Sequence, residues 1–139
     1  MICTFFGHRE VYESIGELLK REILRLYYHD QASEFYIGNK GSFDAIVQRI
    51  CAEIAEAHSE FSYSVVLSRP NERPLCTAAR ETFFPQELDS VPPRFAVSKR
   101  NDWMLKHASV LIAYQRHRFS NTERYVKLAR KRGLTVIDI

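Results

Sequence analysis

The sequence predicts an α/β fold in which helices cover both faces of one mostly parallel, five-stranded sheet. Two observations predict it. Short apolar runs alternate along the chain with segments whose apolar residues recur at helical spacing, and several of these runs end at glycines. Such alternation is typical of parallel strands joined by right-handed crossover helices. The 139 residues suit a single domain spanning 1–139 and suffice to bury a sizeable core.

The first half of the chain predicts three strands and two helices. Strands are expected at 2–6, 35–37 and 63–67, and a glycine follows each of the first two. The first helix is predicted by apolar residues at helical spacing. They are Tyr12, Ile15, Leu19, Ile23, Leu26 and Tyr27. The second helix follows from a similar stripe between residues 46 and 55, with Ser42 as the expected N-cap.

The second half opens with a stretch that lacks periodicity. Residues 68–93 contain all five prolines, which predicts a long loop, and such loops in small domains are often functional or mobile. A helix, a strand, a basic helix and a last strand are expected at 95–107, 110–114, 121–132 and 134–139. Gly133 marks the end of the basic helix. The complete order, β-α-β-α-β-loop-α-β-α-β, predicts a Rossmann-like three-layer sandwich.

The formal net charge of +3 conceals an asymmetry. Residues 94–132 hold 11 Lys and Arg but only Asp102 and Glu123 as acids, whereas the rest of the chain is net negative. This asymmetry raises the question of an anionic partner, although surface charge also serves solubility. The three arginines and lysines at 130–132 suit the C-terminal dipole of their own helix, so the charge points to a phosphate pocket more than to a nucleic-acid surface.

Several classes of protein are excluded. No apolar run approaches the about 18–20 residues that cross a bilayer, and the first residues do not resemble a signal peptide. Cys3, Cys51 and Cys76 are odd in number and far apart, which argues against a disulfide framework or a zinc site. The histidines lack metalloprotease spacing. We therefore expect a cytoplasmic protein with no membrane partner, no metal and no cofactor.

Ligands of open parallel sheets bind beyond the carboxyl ends of the strands, near the point where the strand order reverses. This rule selects the glycine turn Gly38–Gly41, which precedes a helix start. Glycines let the backbone approach an anion, and free N–H groups of the helix can donate to it. The alternative is a plain glycine turn between strand and helix.

Two further groups lie near predicted strand ends. In Gly7-His8-Arg9, the arginine suits a phosphate or carboxylate, and the histidine is either a proton donor or a hydrogen-bonding residue. The helix at 95–107 begins with a polar cluster that either faces a ligand or forms a solvated face. Its members are Arg94, Lys99, Arg100 and Asn101.

Three segments together resemble a known superfamily. They are Phe-Phe-Gly-His-Arg at 5–9, Phe-Tyr-Ile-Gly-Asn-x-Gly-x-Phe-Asp at 35–44 and Val-Pro-Pro-Arg-Phe-Ala-Val-Ser-Lys-Arg-Asn-x-Trp-Met at 91–104. The chain is similar over its whole length to a bacterial branch of the SLOG superfamily of Rossmann-like folds, which includes the LOG phosphoribohydrolases and the DprA DNA-processing proteins. The resemblance implies a nucleotide-derived ligand held at the strand ends. The residues it implies are Gly7, His8, Arg9, Gly38, Asn39, Gly41, Asp44, Arg94, Lys99, Arg100 and Asn101.

The chain departs from the superfamily after the fourth predicted strand. A Gly-Gly phosphate loop usually opens the next helix there, whereas this chain has Arg116-His117-Arg118-Phe119-Ser120-Asn121-Thr122. Ser120 and Asn121 are candidate ligand contacts whose side chains would crowd a phosphate, or they cap the helix. Glu123 lies near the position of the LOG catalytic glutamate, but its spacing does not match.

Three functions follow, in descending order. The first is binding of a nucleotide or nucleotide-derived ligand at the strand ends, as in a sensor. The second is a hydrolase that cleaves an N-glycosidic or phosphate bond, for which Asp44 and Glu123 are the available carboxylates. The third is binding of single-stranded DNA through the basic segment. The sequence leaves the ligand, any turnover and the oligomeric state open, and a homo-oligomer is compatible with it.

Overall fold

Strands and helices alternate along the computed structural model, which describes residues 1–139. The strands are β1 (Ile2–Gly7), β2 (Glu34–Ile37), β3 (Tyr63–Val66), β4 (Thr82–Phe83), β5 (Val110–Tyr114) and β6 (Thr135–Asp138). The helices are α1 (Gly16–Tyr28), α2 (Gly41–Ala57), α3 (Ala96–His107) and α4 (Asn121–Lys131). All strand pairs are parallel, in the order β4-β3-β2-β1-β5-β6. The predicted α/β fold is confirmed.

The sheet has six strands, so the predicted count of five is wrong. The additional strand, β4, lies inside the predicted 68–93 loop and pairs with the end of β3, with Val65 opposite Thr82 and Val66 opposite Phe83. It is two residues long and exposed, so it leaves no apolar run for periodicity to detect. Short 3₁₀ helices occupy 86–88 and 93–95 in the same region.

The core has one layer on each face of the sheet. Helices α1 and α2 pack on one face, where Phe5 of β1 is buried. Helices α3 and α4 pack on the other, where Phe6 of β1 stacks on Tyr125 with ring centroids 4.6 Å apart. Neighbouring residues of a strand point to opposite faces, so β1 contributes to both layers. This arrangement is the predicted three-layer sandwich.

The helix ends differ in how well the sequence predicted them. Ser120 is the N-cap of α4, where its side chain accepts a hydrogen bond from the Glu123 N–H at 3.1 Å, and Gly133 follows the helix with a φ of +84°. Ser42 is not a cap, because α2 begins one residue earlier and the N-cap position is Lys40. Tyr12 precedes α1 and is 86% exposed, so it does not belong to the predicted apolar stripe.

The strand order reverses between β1 and β5, because the chain builds outward from β1 in both directions. These two strands pair along their length, from Cys3 opposite Val110 to Gly7 opposite Tyr114. The loops that leave their carboxyl ends therefore begin side by side, at the position where open parallel sheets bind ligands. No helix combines the length and the apolar character needed to span a membrane.

Candidate functional site

A cavity of about 260 Å³ lies at this reversal point. It is bordered by the end of β1, the start of α2, the middle of α3 and the start of α4. Eight of the residues selected from the sequence line it: Gly7, His8, Arg9, Asp44, Arg100, Asn101, Ser120 and Asn121. The topology therefore brings together groups that are more than 100 residues apart in the chain.

The first turn of α4 supplies free hydrogen-bond donors to this cavity. The N–H groups of Glu123 and Arg124 bond to the Ser120 side chain and carbonyl, respectively. The N–H groups of Asn121 and Thr122 have no acceptor in the protein. Unsatisfied donors at the positive end of a helix dipole attract anions.

Arg100 is the largest fully buried side chain, with 1% of its surface exposed. Its Nε donates to Asn101 Oδ1 and its Nη1 to the Val66 carbonyl, both at 3.0 Å, while Nη2 has no partner in the protein. Arg100 takes part in none of the ion pairs. Burial lowers the pKa of the guanidinium, and the nearby Asp44 and Glu72 offset part of this effect. An arginine keeps its proton in proteins, so a buried positive charge borders the cavity.

Asp44 is the acidic group that lines the cavity. Burial raises the pKa of its carboxyl to about 6, against the opposing effects of a hydrogen bond from the Lys40 N–H and of the Arg100 charge. Near neutral pH the group therefore exists in both protonation states. Such a carboxyl group can accept or donate a proton to a bound molecule.

His8 is buried and joins the loops after β1 and β5. Its Nε2 accepts hydrogen bonds from the backbone N–H groups of Arg116 at 2.7 Å and His117 at 3.3 Å. Burial lowers the pKa of the imidazole, and the neighbouring His117 and Arg116 lower it further. Of the two roles considered from the sequence, the geometry matches the hydrogen-bonding residue.

The turn Gly38–Gly41 does not border the cavity, so the predicted phosphate cradle is not formed there. The N–H groups of Ser42 and Phe43 donate to the carbonyls of Arg9 at 2.7 Å and His8 at 3.4 Å. Gly41 has a φ of +90°, and a Cβ atom there would lie 2.7 Å from the Arg9 Cα. A Cβ at Gly38 would lie 2.5 Å from an Asp44 oxygen. Both glycines make room for the protein itself, and the donors of this helix end are already used.

Asn39 also lies outside the cavity and holds the loop after β3. Its Nδ2 donates to Glu72 Oε1 at 3.2 Å and to the Arg73 carbonyl at 2.9 Å. Its Oδ1 accepts from the Leu75 N–H at 3.0 Å and from Gln48 Nε2 at 2.9 Å. These four bonds use the full capacity of an amide side chain. The residue therefore shapes the rim of the site.

Most of the remaining basic residues lie elsewhere. Arg94 is exposed over the Phe95 ring, and Lys99 borders a separate groove between α3 and α4. Arg116 pairs with Glu13 at 2.6 Å instead of entering the crevice. Glu123 lies outside the cavity lining, where it pairs with Lys127. The expectation that Arg94, Lys99 and Arg116 share one pocket with Arg9 and Arg100 is therefore not met.

Two polar residues of the cavity were absent from the sequence-based set. Lys40 adds a second exposed cation beside Arg9, and Thr122 adds a hydroxyl group. Lys40 stood inside the selected glycine turn, and the position of that turn was the available signal. Thr122 gave none, since a threonine in a first helical turn is ordinary. Comparison with protein-family models finds no match for this chain, and neither does comparison with curated proteins.

Proposed function

We propose that this protein binds a nucleotide or a nucleotide-derived molecule in the reversal-point cavity, as a ligand-binding or sensing domain. The observation that carries the proposal is the buried Arg100 guanidinium, which borders the cavity without an ion-pair partner. A buried charge is costly unless something compensates it. A phosphate group in the cavity would compensate Arg100.

The other polar groups favour the same kind of ligand. The free N–H groups of Asn121 and Thr122 lie at the positive end of α4, and Arg9 and Lys40 stand exposed at the cavity. Stacked Phe6 and Tyr125 supply an apolar part of the lining. A volume of about 260 Å³ is near the lower end of ligand pockets, about 300–1,000 Å³, which favours a phosphate with its sugar over a whole dinucleotide.

The resemblance to the SLOG superfamily supports the proposal independently of the cavity, since it implies a nucleotide-derived ligand at the strand ends. The preferred cradle differs from the one that the glycines of 38–41 suggested. We assign the phosphate to the start of α4, where Ser120 and Asn121 stand in the place of the superfamily's glycines.

Calorimetric titration with AMP and with adenosine tests the proposal. We expect saturable binding of AMP and at least about tenfold weaker binding of adenosine, because the phosphate carries the charge-assisted bonds. A thermal-shift panel extended to NAD and ADP-ribose ranks the ligands, since ligand at 100 times its Kd adds about 2.7 kcal/mol of stability. Equal affinities for AMP and adenosine, or no stabilisation by any nucleotide at millimolar concentration, would contradict the proposal.

A matched pair of arginine variants assigns the binding to this cavity. Both Arg9 and Arg94 are exposed, but only Arg9 lines the cavity. We expect Arg9→Ala to weaken AMP binding by about fivefold, equivalent to roughly 1 kcal/mol. Arg94→Ala removes the same charge from the surface and should leave the affinity unchanged. Equal effects of the two substitutions would indicate unspecific attraction to net charge.

The second candidate is hydrolysis of an N-glycosidic or phosphate bond in such a ligand. Asp44 favours it, because its carboxyl lines the cavity and has a pKa of about 6, which suits general acid–base catalysis. Release of free base or phosphate from nucleoside monophosphates measures this activity. Asp44→Asn should abolish release, whereas Glu123→Gln, outside the cavity, should preserve it. Absence of release by the wild type would leave binding as the function.

A further inference from the structure

The protonation pattern of His8 follows from its two backbone partners. The N–H groups of Arg116 and His117 can only donate, so Nε2 has to accept and carries no hydrogen. The ring is buried, and the neighbouring charges of Arg116 and His117 also disfavour the imidazolium. A neutral imidazole without a hydrogen on Nε2 carries it on Nδ1.

The Nδ1 atom faces the hydroxyl of Thr122 at 3.4 Å. Since Nδ1 carries the hydrogen, the Thr122 oxygen accepts in this contact. The hydroxyl keeps its own proton free, and it has no other hydrogen-bond partner in the protein. Thr122 is 5% exposed, and it lines the cavity.

We infer that His8 is a positioning residue that turns the Thr122 hydroxyl into a hydrogen-bond donor for a phosphate or similar oxyanion in the cavity. This inference rests on the proposed function and adds a side-chain donor to the free N–H groups of Asn121 and Thr122. It also gives a reason for the link between the β1 and β5 loops. The bond from Arg116 to His8 selects the ring tautomer, and the tautomer sets the direction of the hydroxyl.

Long-range proton–nitrogen NMR spectra of the wild-type protein test the first step. At pH 7 we expect a neutral His8 ring with the hydrogen on Nδ1. A hydrogen on Nε2, or an imidazolium ring, would overturn the inference. This measurement needs neither a variant nor a ligand.

Titration with sulfate and with inorganic phosphate tests the second step. We expect Thr122→Val to bind both anions at least about tenfold more weakly, the loss of a hydrogen bond to a charged group. Thr122→Ser keeps the hydroxyl and should bind within about twofold of the wild type. Equal binding by Thr122→Val and the wild type overturns the inference and leaves the proposed function standing. Failure of the wild type to bind either anion overturns both.

A double-mutant cycle tests the coupling. If His8 acts through Thr122, then Thr122→Val should weaken binding little further in a His8→Ala background. Fully additive losses would contradict the positioning role. Should His8→Ala fail to fold, the tautomer and the paired Thr122 variants decide the question.

Discussion

The Asp44 carboxylate accepts a hydrogen bond from the Lys40 backbone N–H at 3.0 Å, across the first turn of α2. This bond closes the turn from within, since the carboxylate fills the space beside Gly38. The same carboxyl group lines the cavity. Asp44 therefore connects the stability of the turn with the charge of the proposed ligand site.

Replacing Asp44 by Asn should stabilise the protein at pH 8. The pKa of the folded state, about 6, lies above the ordinary value of 3.8, so between these values the folded state binds more protons than the unfolded state. The stability that this proton uptake contributes is lost as the pH rises from about 4 to about 6. Urea unfolding should show the variant gaining on the order of 2–3 kcal/mol over the wild type between pH 4 and pH 8.

The histidines do not confuse this comparison, because their titration is common to both proteins. The lowered pKa of His8 makes the protein lose stability as the pH falls below about 6.5, since only the unfolded state then gains the proton. This loss cancels in the difference between wild type and variant. A difference that is the same at pH 4 and pH 8 would show that Asp44 is not perturbed by burial.

Sulfate binding should tighten as the pH falls. Sulfate remains a dianion between pH 5 and pH 8, whereas Asp44 becomes neutral below about pH 6 and stops repelling the ligand. We expect roughly tenfold tighter binding at pH 5 than at pH 8, equivalent to about 1.4 kcal/mol. Asp44→Asn should show most of this gain at both pH values. A variant with the same pH dependence as the wild type would assign the effect to another group.

Asn39→Ala should reduce stability without changing affinity for the ligand. The substitution removes four hydrogen bonds and leaves Gln48 and the Leu75 N–H without one of their partners. We expect a loss of about 2–3 kcal/mol in the free energy of unfolding and an AMP affinity within about twofold of the wild type. If Asn39 contacts the ligand, as the sequence suggested, the affinity will fall instead.

The sequence predicted the fold better than it predicted the site. Apolar periodicity located the long elements, because each buries a continuous stripe or run. The site depends on contacts between distant residues, such as Thr122 with His8, which no local pattern records. Arginine is rarely buried, so a sequence gave no reason to separate Arg100 from its neighbour Lys99. The glycines at 38 and 41 matched a phosphate cradle, but Arg9 and Asp44 occupy that space.

Phe119 is the site of a stability prediction in the loop before α4. It has a φ of +59° and is 95% exposed, so its backbone is strained while its side chain packs on little. A left-handed conformation costs about 1–2 kcal/mol for an L-residue, and glycine's greater freedom when unfolded offsets part of the gain. Phe119→Gly should therefore raise stability by up to about 1 kcal/mol.

A neighbouring position provides the control for this prediction. Arg118 is exposed like Phe119 but is not among the residues with positive φ. Arg118→Gly should leave stability unchanged or lower it. Thermal unfolding of both variants compares them directly, and a loss of stability in Phe119→Gly would show that the aromatic ring packs in solution.

The account's central claim is that an oxyanion binds at the start of α4 beside Arg100. Backbone and guanidinium NMR resonances recorded during an AMP titration test it most directly. We expect saturable shifts that are largest at the N–H groups of Asn121 and Thr122 and at the Arg100 Nε–H, with small shifts at Ser42 and Phe43. Largest shifts at residues 38–43, or no saturable shifts at all, would contradict the claim.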